Sequence, residues 1–205
     1  LSTVGSGALG NPAELNLGNG ASLNLGGTTN LGELSGSGTV NVGAGTGLLV
    51  GEGTFGGVLS GTGTLDKTGT GTLTLGGGNT LSGATTVSGG SLIVNGSLAS
   101  STVTVNSGST LGGTGILGGA LTVADGGHLS LRSGDTLSVG SLVLGADANL
   151  DAALGAPVVG TPALINVGGN LTLDGKLNVT DLGGFGAGVY RLIDYSGALT
   201  NNGLA

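Results

Sequence analysis

Aliphatic and small polar residues alternate in short bursts along this chain. "LNLG" stands at 15–18 and again at 23–26, "TVNVG" at 39–43, "GTLTLG" at 71–76, "SLIVNG" at 91–96, "STVTVNSG" at 101–108 and "LTLDGKLNV" at 171–179. Gly, Asn-Gly, Ser-Gly or Asp-Gly closes or breaks these bursts. A period of two over such spans, bounded by residues that tolerate positive φ, predicts strands and turns. No window of eleven or more combines a helical period with few glycines, and each glycine costs a helix interior about 1 kcal/mol. The pattern is all β.

Internal similarity narrows the architecture. "LSGSGT" at 34–39 returns as "LSGTGT" at 59–64, a step of 25, and a looser copy, "LGGTGI", follows at 111–116. A second spacing separates Glu14, Glu33 and Glu52 by 19 residues each. Repeats of about 20–25 residues, each with two or three short strands, predict a solenoid of β coils rather than a sandwich or barrel. With rungs about 4.8 Å apart, roughly eight coils give a rod near 40 Å long. Leu65, Leu73, Leu75 and Val87 are expected inside; Thr64, Thr72, Thr74, Thr85 and Thr86 are expected outside, with glycines at the corners.

Composition supports a folded chain. Of 205 residues 50 are Gly, yet 38% are apolar, 7% charged and the mean hydropathy is +0.43, whereas disorder goes with low hydrophobicity and high charge. The net charge is −7, and Lys67, Arg132, Lys176 and Arg191 stand singly. Neither a nucleic acid nor an anionic membrane surface suits that distribution. The absence of cysteine excludes disulfides and thiolate metal sites. The first residues carry no leader pattern, so the chain reads as an internal segment. From about Leu111 the repeats loosen and Pro157 and Pro162 appear. Phe185, Tyr190 and Tyr195 then cluster near the C-terminus, as a cap over a solenoid end would require. Two parts are expected: coils over 1–110 and a capping region over 111–205.

Residues 63–94, "GTLDKTGTGTLTLGGGNTLSGATTVSGGSLIV", resemble the passenger-associated repeat of bacterial autotransporters. Lys67, Gly69, Gly71, Leu73, Leu75, Asn79, Gly83, Thr85, Val87, Gly90 and Leu92 fall on its pattern, and Leu81 replaces its usual aromatic. The stretches at 129–154, 165–179 and 188–204 are similar to the pertactin-like end of such passengers, with Leu131-Arg132 where a Pro-Gly turn often stands. The resemblance implies a right-handed parallel β-helix, exported through the periplasm and outer membrane by its own β-barrel, whose strands would follow residue 205. It also implies a C-terminal folding nucleus and a cell-surface stalk that supports adhesion, autoaggregation or virulence, with host surface or matrix proteins, or copies of itself, as partners. A secreted enzyme with its catalytic part upstream, or a host-protein-binding module, are the alternatives.

Candidate chemistry is sparse. G-x-G-x-x-G occurs at 5–10, 51–56 and 113–118, but a chain with 50 Gly produces such matches by chance and none opens a helix. His128, the one histidine, has Asp125 and Asp135 nearby in sequence but no G-x-S-x-G, and is expected in a surface loop or turn. Glu14, Glu33 and Glu52 invite comparison with the paired carboxylates of glycan cleavage, without the basic and aromatic residues that grip sugars. Asp147, Asn149 and Asp151 begin like a calcium loop, but Ala152 and Val158 hold its Gly and Glu positions. The Thr-x-Thr pairs at 62–64, 70–72, 72–74 and 102–104 recur too irregularly for an ice-binding array. The reading therefore assigns no catalytic residue, metal, cofactor or small-molecule substrate.

Overall fold

The computed structural model describes residues 2–4, 13–99, 102–158, 160 and 162–205, with side chains from 14 onward. Every regular element among them is a strand, and every pairing between strands is parallel. The chain winds as a right-handed parallel β-helix in which each rung bonds to the rungs before and after it.

Three ladders run along the rod. In the first, Leu23 pairs with Val40 and Val40 with Leu59. After an interruption it resumes with Asn79, Leu98, Leu117, Val139, Val167 and Tyr195. In the second, Leu48, Leu65, Thr85, Val103, Leu121, Leu142, Leu171 and Leu199 lie above one another. In the third, Leu73, Leu92, Leu111, Leu129, Leu150 and Leu177 do so. Successive rungs of these files are 17–22 residues apart up to Leu150 and 27–29 apart beyond it. The longer rungs carry extra residues between strands, among them 155–158 and 182–192, and the second of these segments meets the first through the Tyr190 hydroxyl, which donates to the Gly155 carbonyl at 3.2 Å.

The 25-residue similarity is not the rung period. Leu34 belongs to the third ladder and Leu59 to the first. The carboxylate spacing of 19 is a rung period: Glu14 pairs with Glu33 and Glu33 with Glu52.

Alternation places Leu65, Leu73, Leu75 and Val87 fully inside, as expected. Thr85 is corrected: it is completely buried, in file between Leu65 and Val103. Neighbouring strand residues face opposite sides, so Thr85 and Thr86 cannot both point outward. Gly53 marks the bend in the strand Gly47–Phe55, which serves the second ladder with its first half and the third with its second. Its φ is +134°, and a Cβ there would be driven into the Leu34 carbonyl.

The C-terminal rings take two roles. Tyr195 continues the first file above Val167, while Phe185 and Tyr190 stack on each other on the flank, centroids 5.0 Å apart.

Leu92 is wholly buried between Leu73 and Leu111, so Leu92→Ala is expected to destabilise the chain by about 2–5 kcal/mol in urea unfolding. Ser109→Ala removes a buried hydroxyl with no hydrogen-bond partner among the described residues. It is expected to leave the unfolding midpoint unchanged or to raise it.

Candidate functional site

Two groups of polar side chains are candidates for a site: those buried inside the repeat at 63–94, and those on the outer surface of the third ladder. Lys67 occupies an inward position, in file between Val50 and Val87, and is completely buried. Its stem lies in the core and its ammonium reaches the corner that follows. There Nζ donates to the carbonyls of Thr68 at 2.5 Å, Gly69 at 3.3 Å and Gly89 at 2.9 Å, so it ties a corner to the same corner one rung on. Burial pushes the ammonium below its ordinary value of 10.5, and the carboxylates of Glu52 and Asp66 pull it back up.

Asn79 is the second buried polar residue of the repeat. The strand it ends, Gly78–Asn79, is only two residues long, and residues 80–84 form no strand. Its Oδ1 accepts the Leu59 backbone N–H at 2.8 Å, and its Nδ2 donates to the Gly77 carbonyl at 3.0 Å. The side chain thus supplies the acceptor that the Leu59 N–H would otherwise take from a backbone ladder, while Thr80, Leu81 and Ser82 still donate to the Leu59 and Gly61 carbonyls. Leu81 beside it is fully buried, an apolar occupant of the position where the motif has an aromatic. Sequence reasoning placed Lys67 and Asn79 on a motif but not in the core. The signal was available: Lys67 lies two residues after the inward Leu65, so strand alternation turns it inward too.

On the outer surface, the structure brings His128 and Asp151 together, not His128 with Asp125 or Asp135. His128 opens the strand His128–Arg132 rather than lying in a turn, and its Nδ1 is 2.7 Å from Asp151 Oδ2. Asp151 Oδ1 accepts from Asn178 Nδ2 at 2.7 Å, and the same nitrogen donates to Asn149 Oδ1 at 3.2 Å. Asp147 is bonded to Lys176 at 2.7 Å, which holds its carboxyl below the usual range. The oxygens of the stretch that begins like a calcium loop are therefore engaged by an imidazole, an amide and an ammonium. Among the described residues, no three His, Asp or Glu side chains are arranged to hold a metal ion. Leu131 and Arg132 continue the strand, and the turn comes after them, with Gly134 at φ +93°.

Glu14, Glu33 and Glu52 do stack, one rung apart, and Glu33 and Glu52 line a shallow open groove with Ser35, Thr54, Thr72 and Thr74. The groove lining contains no basic or aromatic side chain. The outer threonines are more regular than expected. Thr86, Thr104 and Thr122 form one file, which Val143 breaks before Thr172 and Thr200 resume it. Of the three G-x-G-x-x-G matches, 5–10 lies outside the described residues, 51–56 falls largely in the strand Gly47–Phe55, and 113–118 runs into the strand Ile116–Val123. None of the described residues is helical, so these two present no helix N-terminus to a phosphate.

Residues 65–94, the segment holding the buried Lys67 and Asn79, match the passenger-associated-transport-repeat family. The chain is also similar to the adhesin BmaC autotransporter of Brucella suis biovar 1 (strain 1330), at 51% identity over 75 residues, which is 34% of this chain and 2% of that protein.

Replacing Lys67 by Met leaves three corner carbonyls without their donor and is expected to cost about 1–3 kcal/mol in chemical denaturation. A lysine with a depressed folded-state value binds fewer protons folded than unfolded. Wild-type stability should therefore rise with pH on approach to 10.5, from the folded-state value upward. Urea titrations across that window should show the rise in wild type and its loss in Lys67→Met.

Proposed function

We propose that the chain is a segment of an autotransporter passenger, that it forms the C-terminal stalk of a surface adhesin and that it starts the folding of the coils that precede it. As a passenger segment it is exported across the outer membrane to the cell surface, and its family implies a translocator barrel in the same polypeptide. The observation that supports the reading is that the matched repeat holds the structural splice: Asn79, on the motif, bonds across the interrupted stretch, and Lys67, also on it, ties one corner to the same corner a rung on.

Folding from the C-terminal end suits this architecture because each coil contacts only its neighbours, so an ordered coil is a template for the next. The longer rungs after Leu150 add contacts that the shorter ones lack, including the Tyr190–Gly155 bond and the Phe185–Tyr190 ring pair. Deleting 170–205 is expected to slow refolding of the remaining coils and to lower the yield of surface-exposed passenger, read by stopped-flow dichroism and protease accessibility on cells. Equal rates and equal yield would overturn the nucleating role.

Adhesion is read from the relative's name and from an outer surface of polar files with few charges. Beads coated with the protein are expected to bind immobilised matrix protein or to aggregate with one another. Beads that stay dispersed and unbound would leave the stalk without an adhesive face and favour a spacer for a domain upstream.

A further inference from the structure

The chain contains three Asn-Gly dipeptides, at Asn19, Asn95 and Asn202, each at a corner or end of a strand. Asn-Gly is the sequence in which a backbone nitrogen most easily reaches the preceding side-chain amide, because the glycine has no Cβ to shield it. The structure separates the three. At Asn95 the Gly96 N–H donates to the Leu75 carbonyl at 3.1 Å as part of the rung ladder, and the Asn95 Oδ1 accepts from Thr114 N–H at 3.3 Å. At Asn202 the Gly203 N–H donates to Asn201 Oδ1 at 3.1 Å, and the Asn202 amide is held by Asp174 at 3.1 Å.

Asn19 has neither restraint. It lies in an exposed turn closed by Ala21 N–H to the Gly18 carbonyl at 3.1 Å, between the strands Ala13–Leu17 and Ser22–Leu25. Gly20 has φ +77°, and nothing lies within 4 Å of where its Cβ would be. Among the described residues, neither the Gly20 N–H nor the Asn19 side-chain amide makes a hydrogen bond.

We propose that Asn19 is a site of spontaneous deamidation in the folded protein and that Asn95 and Asn202 are protected by the fold. The Gly20 nitrogen, after losing its proton to solvent base, attacks Asn19 Cγ. The Cγ–N bond to the side-chain nitrogen breaks and ammonia leaves, forming a five-membered succinimide. Water then adds to one of its two carbonyls, yielding aspartate or isoaspartate with no change of oxidation state. The product adds one negative charge to a chain at −7. In its isoaspartyl form it also inserts one carbon into the main chain at a corner between two faces of the rod. Because coils couple only to their neighbours, the change is confined to that corner and the rung beside it.

The test is incubation of the folded protein at mildly alkaline pH in isotopically labelled water, followed by peptide mass mapping of all three dipeptides. Asn19 is expected to convert at least about fivefold faster than Asn95 or Asn202, the factor that corresponds to one backbone hydrogen bond broken before attack. In concentrated urea the three rates should converge, and Asn19→Gln should remove the fast phase while leaving the circular dichroism spectrum unchanged. Asn95 or Asn202 keeping pace with Asn19 in the folded protein, or a rate order that persists in urea, would overturn the proposal.

Discussion

The parallel backbone ladder from rung to rung is the interaction on which everything else in this molecule rests. It brings each residue to within about 4.8 Å of its counterpart in the next coil. A side chain must therefore suit not a point but a file. The files Leu73–Leu92–Leu111 and Val87–Val105–Val123 are what that constraint produces inside the rod. Threonine and asparagine on the outside follow from it too, since like charges stacked at such spacing repel. The carboxylate file of Glu14, Glu33 and Glu52 is the exception, and it lies on the outer surface, where water screens it.

A ladder of this kind is weakest where a strand is cut short, because some backbone groups of the neighbouring rung then lose their regular ladder partner. Residues 80–84 are such a cut. Asn79 meets it with an amide that accepts from one rung and donates within its own, and at the next corner the Lys67 ammonium donates to carbonyls of two successive rungs. Burying an ammonium is costly unless its donors are matched, and here it meets three carbonyls, with the Glu52 and Asp66 charges favouring its protonated form. A motif that looks chemical in sequence is thus a structural splice. The two most polar side chains of the core spend their polarity on main chain.

How much of this was legible from the residues alone follows from the same geometry. Alternation and glycine punctuation give the strands and their inner faces, since both are local. The 19-residue spacing of the glutamates gives the true rung. The 25-residue echo of "LSGSGT" in "LSGTGT" misleads for a definite reason. Gly36 and Gly61 both have φ near +100° and both lie where an added Cβ would strike a carbonyl of the preceding coil. The repeated string is a corner motif, used at one corner after Leu34 and at another after Leu59, so its spacing is not a whole turn. Thr85 was misplaced because its pair with Thr86 hid the alternation. The His128–Asp151 contact was out of reach because it joins neighbouring rungs whose length had drifted to 21 residues.

Variable rung length has a consequence for how such a rod is used. Because register is restored at every strand, extra residues can be absorbed at a corner without disturbing the files, as 182–192 are. The inserted residues keep part of their surface outside: the Tyr190 hydroxyl bonds Gly155, and Phe185 lies against Tyr190 while still 43% exposed. Variation that a compact core would reject is tolerated here as surface relief on a constant scaffold. A rod made this way leaves its outer files and corner loops free to differ, and holds its fold through positions such as Leu92, Lys67 and Asn79 that never meet solvent.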